Sequence, residues 1–481
     1  MAAAAGFYCI GKFPAVVVFA FIILFAILCF FTAFASLTRT SLVRMSSSRE
    51  SRALRVTVVC ITAAVVGLAV GISAAGSARN VVRFGIPNDR ITAVEGILLE
   101  DPRIISGGKA LASLSLRKSA GAGGLRVTSS GEITVFFPQE GAYLLREYGR
   151  GAVVFTEGSL RESDMGWTYS AKSMHVVKKA PAIERMRTDI RLKLIKRFDG
   201  KKWGGLALAL LLGIKDSLDT NLSAMYRDAG CSFILALSGM HLAVLASLIA
   251  FLLKKPLGLK AASITGAVII CLYCFIVGPM PSLNRAAIMY ILGVLAILGA
   301  LPKEPLSILS LSFLIQIVVS PAAGNSISFI LSYLALAGIL VIGQPLFSLF
   351  AGKLPDFLLQ PLSASCGAFL ATAGVTAFAF GVIVPMGIIT GLALVPLTTV
   401  FMIGSLAWLV LDLFPLSGFL SPPLSFLYQL MEKIVSAAGS IPGITSSSPA
   451  AILVFSIVLS IAAAVFEYRR RSSLLRLKPF L

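Results

Sequence analysis

The chain has 481 residues; 57% of them are apolar (A, V, I, L, M, F, W, Y or C), only 13% are charged, and the mean hydropathy is +0.90. Soluble globular proteins have about 45–50% apolar and about 25% charged residues, so this composition excludes a soluble enzyme. The 42 lysines and arginines against 22 acids give a formal charge of +20, which favours a multi-pass membrane protein with a basic excess. With only two histidines, we expect no metal site, no cofactor and no catalytic residues.

Two apolar runs lie near the amino terminus. Residues 14–35 and 54–75 are each long enough to span a bilayer, and an arginine-rich loop separates them. A basic loop between two spans stays in the cytoplasm. Residues 1–76 are therefore predicted to form two transmembrane helices, and the segment that follows them is predicted to lie outside the cytoplasm.

Residues 77–180 have the composition of a soluble domain. Glycine-containing turns separate five stretches with partial apolar alternation, which predict short strands at residues 91–100, 110–117, 132–137, 152–160 and 167–177. Five such strands predict a small all-β extracytoplasmic domain that resembles an OB-type barrel. Its aromatic residues could offer stacking surfaces or form the core, and we favour the core. They are Phe136, Phe137, Phe155, Trp167 and Tyr169.

Residues 181–202 predict a basic linker helix that leads back toward the membrane. A polyanion could contact its cations, whereas the alternative is that the helix lies on anionic lipid. The candidates for such contacts are Arg185, Arg187, Arg191, Lys193, Lys196 and Arg197. None of the seven cysteines falls between residues 77 and 202, so disulfides are not expected to hold this region together.

The remainder, residues 203–470, is mostly apolar and ends in a basic tail at 471–481. Predicted spans are 232–253, 260–277, 285–301, 306–320, 327–350, 363–384, 386–411 and 450–466, which makes about ten with the first two. This count places the basic tail outside, against the positive-inside rule, so one crossing is miscounted. The proline-rich segment 414–438, which could be re-entrant, is where we expect the error.

Cys271 and Cys274 have C-x-x-C spacing inside one of these apolar runs. A redox or metal-binding role would need an accessible pair of thiols, whereas small packing residues are common in such runs. We favour packing.

One predicted span has a polar amino end. Ser238 and His241 are three residues apart and so share one helix face, and Gly239 allows close approach of another backbone. An ionisable residue inside a span generally marks a cavity or a conduction path. The alternative is a histidine that hydrogen-bonds a neighbouring helix purely for packing, and we favour the functional interpretation.

A second polar window follows two prolines. Ser282 can cap the next helix, and Arg285 then falls in its first turn, where the helix dipole disfavours a cation. This predicts a carboxylate, a phosphate or water nearby, and the alternative is that Arg285 extends to the lipid headgroups. A third, weaker feature is the polar stripe around Ser332.

Together these windows resemble the ComEC family of bacterial competence proteins. The resemblance rests on residues 226–233, Tyr-Arg-Asp-Ala-Gly-Cys-Ser-Phe, and 235–241, Leu-Ala-Leu-Ser-Gly-Met-His, which are similar to the central motif of that family. Residues 211–217, 282–286 and 329–335, together with the Ser-Pro pair at 320–321, resemble further family motifs. The order of parts is similar as well: two spans, an OB-like domain and a membrane domain.

Two departures from the family pattern matter. Phe233 stands where many members have the first histidine of the motif, which puts in doubt any role that needs both histidines. Many members also carry a metallo-β-lactamase-like domain that is thought to degrade one DNA strand. His175 and His241 cannot supply its zinc ligands, so we expect no metallonuclease.

The resemblance implies an inner-membrane channel for transforming single-stranded DNA, with lipids, a periplasmic DNA receptor, a cytoplasmic translocase and further copies of the chain as partners. It also makes the six cations named in the basic linker helix the candidates for DNA contacts. The residues expected to line the pore or gate are Ser238, Gly239, His241, Asn284, Arg285, Asp216, Arg227 and Ser332. Two alternatives stay open: a permease for small or lipid-linked molecules, and a non-conducting membrane scaffold.

Overall fold

The computed structural model describes residues 82–105, 108–121, 126–163, 166–299, 304–320, 324, 326–414 and 416–445. They form two compact units. The first contains the described residues up to Leu218 together with Phe275–Val277, and the second contains the other described residues from Asp219 onward. The predicted spans 14–35, 54–75 and 450–466 and the basic tail lie outside the described residues.

The first unit is built on a β-sheet whose strands alternate buried and exposed side chains. The strands are β1 (Ile91–Leu98), β2 (Arg103–Ile104), β3 (Ala110–Gly121), β4 (Arg126–Thr128), β5 (Glu132–Phe137), β6 (Val153–Ser163) and β7 (Gly166–Lys178). The five predicted strands are thus confirmed, with bounds that differ by a few residues. The two very short strands, β2 and β4, were not predicted.

Five of these strands close on themselves. β1 pairs with both β3 and β6, β3 with β5, and β6 with β7, all antiparallel. β5 and β7 pair in parallel and complete the ring. Helix α1 (Gln139–Tyr148) follows β5, and a register shift at Gly158 bends β6, where a Cβ would collide with the carbonyl of Ser170.

The aromatic residues of this ring divide between core and surface. Phe137 and Tyr169 are fully buried in the apolar core, and Trp167 packs against that core beside Phe84, with ring centroids 6.0 Å apart. Phe136 and Phe155 are only half-buried. The expected core position is thus confirmed for Phe137, Tyr169 and Trp167. Phe136 and Phe155 keep partly exposed rings.

Two helices complete the first unit. α2 (Ala182–Phe198) corresponds to the predicted basic linker, and it begins after Pro181, whose fixed φ suits a helix start. α3 (Gly204–Leu212) is almost entirely buried and ends at Gly213, which adopts the left-handed conformation (φ 70°) that favours glycine.

The second unit is helical. Its helices are α4 (Thr220–Asp228), α5 (Ser232–Leu235), α6 (Gly239–Val277, whose last three residues belong to the first unit), α7 (Pro281–Leu298), α8 (Pro305–Val319), α9 (Ile327–Gly338), α10 (Gln344–Phe350), α11 (Asp356–Phe380), α12 (Met386–Leu411) and α13 (Ser421–Gly439). A π-helical turn, Ile339–Gly343, joins α9 to α10. A short antiparallel pair, β8 (Val382–Ile383) and β9 (Ile444–Thr445), follows α11 and α13 respectively.

Five helical segments of the described chain are long and apolar enough to cross a membrane: Gly239–Val277, Pro281–Leu298, Ile327–Phe350, Asp356–Phe380 and Met386–Leu411. Each overlaps a predicted span. These apolar segments identify a membrane protein.

The structure corrects three predicted spans. The span expected at 232–253 begins only at Gly239, because Ala236 and Ser238 are extended. It continues through 260–277 as one helix that is broken at Gly258 (φ 74°), so these two predicted spans correspond to the two halves of α6. The span expected at 306–320 is α8, a shorter apolar helix of 15 residues. The segment expected to be re-entrant contains α13, which is not among the five.

Candidate functional site

The amino end of α6 is built by Ser238 and His241. The Ser238 backbone is extended, and its Oγ accepts a hydrogen bond from the N–H of Met240 at 3.3 Å. Nδ1 of His241 accepts from the N–H of Ser238 at 3.1 Å and lies 3.0 Å from Oγ of the same serine. This is a capping box in which histidine occupies the position that usually holds glutamate or glutamine.

These contacts fix the tautomer of His241. Because Nδ1 accepts from a backbone N–H, the hydrogen of the neutral imidazole lies on Nε2. The side chain is only 1% exposed, and Nε2 makes no hydrogen bond of good geometry among the described residues, although the backbone of Ile234 lies near the ring. The amino end of α6 therefore carries a buried N–H donor that the described fold leaves unsatisfied.

Arg285 lies near the start of α7 and is 7% exposed. Its Nη1 donates to the main-chain carbonyl of Ser332, and its guanidinium carbon lies 5.6 Å from the ring centre of Tyr333. Its Nε has no partner within the described residues, and no carboxylate among them pairs with this side chain. Arg285 is thus a buried cation whose known contacts are with neutral groups.

Because Gly239 has no side chain, the guanidinium of Arg285 can lie close to the amino end of α6. A Cβ built on Gly239 would lie 2.9 Å from Nη2 of Arg285, so any larger residue would push the guanidinium away. The amino end of a helix carries partial positive charge from its unpaired N–H groups. A cation at this position raises the local positive potential instead of balancing it.

A series of hydrogen bonds between neutral groups holds the start of the helix that bears Arg285. The hydroxyl of Tyr333 donates to Oε1 of Gln316 at 2.9 Å, and Nε2 of Gln316 donates to the carbonyl of Pro281 at 3.0 Å. Ser312 lies 3.3 Å from the same hydroxyl. These hydrogen bonds link α8 and α9 to the first residue of α7.

Sequence reasoning missed Gln316 and Tyr333. Gln316 is the only amide in an otherwise apolar helix, which was a usable signal, because a buried amide needs partners. Tyr333 lies in the 329–335 window that resembles a family motif, but it was not selected as a site residue because a tyrosine in an apolar helix is commonly a core residue.

The structure brings together four of the eight predicted pore residues, namely Ser238, Gly239, His241 and Arg285, with the backbone of Ser332. The hydroxyl of Ser332 is not the group that contacts Arg285. Asn284 lies beside Arg285 in α7 and is half-buried. Phe233, at the position of the first family histidine, is 47% exposed.

The other two predicted pore residues lie elsewhere. Arg227 is exposed and pairs with its neighbour Asp228 at 3.1 Å. Asp216 belongs to the first unit, where its carboxylate lies 3.1 Å from Arg146 and accepts the N–H of Ile104 at 3.3 Å. Burial raises the pKa of Asp216, and these two partners reduce that shift without cancelling it. Both prove to have local partners.

Two of the predicted DNA contacts are structural. Arg187, 1% exposed, forms a two-pronged ion pair with Asp101 (2.5 and 3.1 Å) and donates to the carbonyls of Phe275 and Val277. Arg191 donates to the carbonyl of Val277 at 2.8 Å and lies 3.5 Å from the same carboxylate. Their guanidinium groups are already engaged, which corrects the prediction that they face DNA.

This network also controls the charge of Asp101. Burial by itself would raise the pKa of this carboxyl, but the hydrogen bond from Arg187 and the positive charges of Arg191 and Arg187 outweigh it and hold the pKa below its ordinary value. The remaining cations of α2 keep more accessible positions: Arg185, Lys193 and Lys196 are exposed, and Arg197 is half-buried.

Long apolar helices with a buried cation inside one helical unit define a multi-pass membrane protein that has a polar interior site. Residues 210–471, more than half of the chain, match the family model described as Competence protein. The chain therefore belongs to the ComEC family of competence proteins, which supports a role in DNA uptake. No curated protein and no solved structure matches the chain.

Proposed function

We propose that this protein conducts single-stranded DNA across the cytoplasmic membrane during natural competence. The observation that carries the proposal is Arg285, a buried guanidinium without a carboxylate partner among the described residues, inside the region that matches the family. A phosphate-rich strand can cross hydrocarbon only along a path that offers cations and hydrogen-bond donors. Arg285 and the end of α6 supply both.

The first unit is proposed to be the entrance. Its strand order, its parallel β5–β7 pair and the helix between β5 and β6 support an OB-type barrel, a fold that often binds single-stranded nucleic acid. Arg126, which lies 5.0 Å from the ring centre of the half-buried Phe155, gives this barrel a surface that combines a cation with an aromatic face. Such pairs suit a backbone phosphate and its adjacent base.

The accessible cations of α2 extend this entrance. Arg185, Lys193 and Lys196 are exposed and can meet phosphates, whereas the buried arginines of the same helix hold the unit together. We place residues 77–202 outside the cytoplasm and the helical unit in the inner membrane. The proposed partners are single-stranded DNA, membrane lipids, a periplasmic DNA receptor, a cytoplasmic translocase and further copies of the chain. The protein is proposed to conduct DNA and not to act as an enzyme.

The decisive experiment follows labelled DNA into the cytoplasm. Cells that express the wild-type chain should accumulate nuclease-protected single strands, and cells without it should not. Arg285→Gln at normal protein level should abolish the signal, whereas Lys353→Gln, which removes an exposed cation near Phe350, should leave it intact.

Two results would favour the other functions. Uptake of a small solute that depends on Arg285, with DNA entry unchanged, would indicate a permease. Normal uptake of DNA in every variant with an intact fold would indicate a scaffold.

A further inference from the structure

Arg285 has one free edge. In a guanidinium group, Nε and Nη2 donate from the same side, and this side forms two parallel hydrogen bonds with a carboxylate or phosphate. Nη1, which belongs to the other side, is taken by the carbonyl of Ser332. Nε is buried without a partner in the described chain, and Nη2 lies beside Gly239. The edge that suits an oxyanion is the edge that the protein leaves open.

The surroundings of this edge are positive or neutral. It faces the amino end of α6, and Arg285 itself stands near the amino end of α7. The Ser332 carbonyl accepts from Nη1 on the opposite side, and the Tyr333 ring lies near the guanidinium carbon, so these neutral groups orient the guanidinium and leave its charge uncompensated. A buried cation in such a place requires an anion that the described residues do not supply.

His241 provides a second, independent donor at the same helix end. Its Nδ1 is fixed by Ser238, so Nε2 carries the hydrogen, and this atom is buried and makes no hydrogen bond of good geometry within the described residues. Two unsatisfied donors on two helices thus belong to one buried helix end. The Nε–Nη2 edge of Arg285 is the group placed for a bound oxyanion, and the N–H of His241 is a further donor near the same helix end.

We infer that the end of α6 and the Nε–Nη2 edge of Arg285 form a binding site for the oxyanion of a phosphodiester. The identification of the ligand as a phosphodiester rests on the proposed function. Two sources share this chemistry, the DNA backbone and the headgroup of an anionic lipid. A phosphodiester presents two oxygens to the fork of Arg285 and can accept from a neutral imidazole.

The test uses the full chain in a maltoside detergent, which contains no phosphate. The first probe is thymidylyl-thymidine, which has a single phosphodiester, and the second is its uncharged methylphosphonate analogue. The third is a short-chain phosphatidylglycerol. Each is titrated while the thermal midpoint of the protein is followed, because a ligand that binds only the folded state raises that midpoint.

We expect thymidylyl-thymidine to raise the midpoint and the methylphosphonate to leave it unchanged. Arg285→Gln should abolish the rise, and Arg285→Lys should weaken the apparent affinity by about tenfold because lysine cannot form the two-pronged contact. Lys353→Gln, at an exposed position in the same unit, should bind as the wild type does. Gly239→Ala places a methyl beside Nη2 and should weaken binding without removing the Ser238 cap.

Two results would overturn the inference. One is an equal response to both dinucleotides, and the other is an undiminished response in Arg285→Gln. If Arg285→Gln does not fold, the comparison of the two dinucleotides on the wild type decides alone. A response to phosphatidylglycerol but not to thymidylyl-thymidine would keep the oxyanion site, assign it to lipid and remove support for DNA conduction. Unchanged DNA uptake in Arg285→Gln, when this variant has lost the response to thymidylyl-thymidine that the wild type shows, would count against the proposed function only.

Discussion

Nδ1 of His241 accepts the backbone N–H of Ser238 at 3.1 Å, so the histidine closes the amino end of its own helix. This contact gives His241 a structural role as a helix cap. Replacing His241 by alanine would remove this role together with any role in DNA uptake. The two roles use different ring nitrogens, since Nδ1 caps the helix and Nε2 is the open donor. A substitution that keeps the first and removes the second can separate them.

His241→Gln makes this separation. Glutamine is one of the usual residues at this position of a capping box, so the free energy of unfolding of the variant should lie within about 0.5 kcal/mol of the wild-type value. His241→Ala should lose about 1 kcal/mol because the Ser238 N–H is left without its partner. The unfolding free energies are compared by thermal denaturation in detergent.

DNA uptake by the same two variants decides the function of Nε2. We expect uptake to fall in both, because alanine has no donor and the amide NH2 of a glutamine whose Oε1 accepts the Ser238 N–H does not reproduce the position and direction of the imidazole Nε2–H. Wild-type uptake by His241→Gln would mean that the histidine acts only as a helix cap.

The buried network around Asp101 predicts a dependence of stability on pH. The pKa of Asp101 in the folded state is lowered from its ordinary value, so its ionised form stabilises the fold above the pKa that the carboxyl has in the unfolded chain, about 4, and this contribution is lost as the pH falls through the folded pKa. Asp101→Asn should cost about 3 kcal/mol or less at neutral pH, since Glu184 remains near Arg187 at 3.4 Å. The difference between wild type and variant should shrink in acid.

Tryptophan fluorescence can follow this unit by itself. The chain has three tryptophans, and Trp167 and Trp203 belong to the first unit, so a Trp408→Phe background reports on that unit. Asp216→Asn is the matched control: burial raises the pKa of Asp216, so its contribution to stability is lost as the pH rises, and removing it should leave the acid sensitivity in place. An Asp101→Asn variant with the full acid loss of the wild type would contradict the prediction.

The local elements of this fold were predictable and their assembly was not. The strands around residues 91, 110, 132, 153 and 167 follow from alternation and glycine turns, which are local signals. The closure of β1 on β6 and the parallel pairing of β5 with β7 depend on contacts between distant residues. The start of α6 was misplaced because the apolar run continues through Leu237, and only the Ser238–His241 cap marks the true boundary.

In the candidate site, too, the residues were predictable from local signals, whereas their contacts with distant residues were not. The motif and the polar residues in apolar runs were enough to select Ser238, Gly239, His241 and Arg285, which the structure brings together. Arg187 was wrongly assigned as a DNA contact because its ion-pair partner, Asp101, lies 86 positions away in the sequence. The sequence alone does not show that these two residues meet. The proximity of Gln316 and Tyr333 is likewise a matter of helix packing between separate segments.

A close helix crossing in the second unit depends on two glycines. A Cβ on Gly338 would lie 2.6 Å from that of Ala371 and would collide with the carbonyl of Gly367, while a Cβ on Gly367 would lie 2.7 Å from the nitrogen of Gly343. Gly338→Ala should therefore force α9 and α11 apart and cost about 1–3 kcal/mol. Gly293→Ala is the matched control.

Gly293 also lies inside an apolar helix, but a Cβ there would meet nothing within 4 Å. Its replacement by alanine should change stability by less than about 1 kcal/mol, in the stabilising direction. Thermal denaturation of both variants in detergent compares them directly. Equal stability of the two would mean that this crossing is loose enough to accept a methyl group.

The exposed cations of α2 should set the salt dependence of binding to single strands. Each phosphate that a cation neutralises contributes about 0.7 to the slope of log affinity against log salt concentration. Replacing Arg185, Lys193 and Lys196 together by glutamine should thus reduce the slope by about 2, while the buried Arg187 and Arg191 still hold the unit. Fluorescence anisotropy of a labelled oligothymidylate over a range of salt concentrations measures the slope for the full chain in a neutral detergent.

A triple variant with the same loss of charge gives the control. Lys254, Lys255 and Lys260 are exposed around the break of α6, and their replacement by glutamine removes three charges from the other unit. If α2 is a specific contact, this control keeps the wild-type slope, because only the cations that neutralise phosphates of the bound strand contribute to it. Equal losses in the two triple variants would show that only net charge attracts the strand, and α2 would then have no place in the path of the DNA.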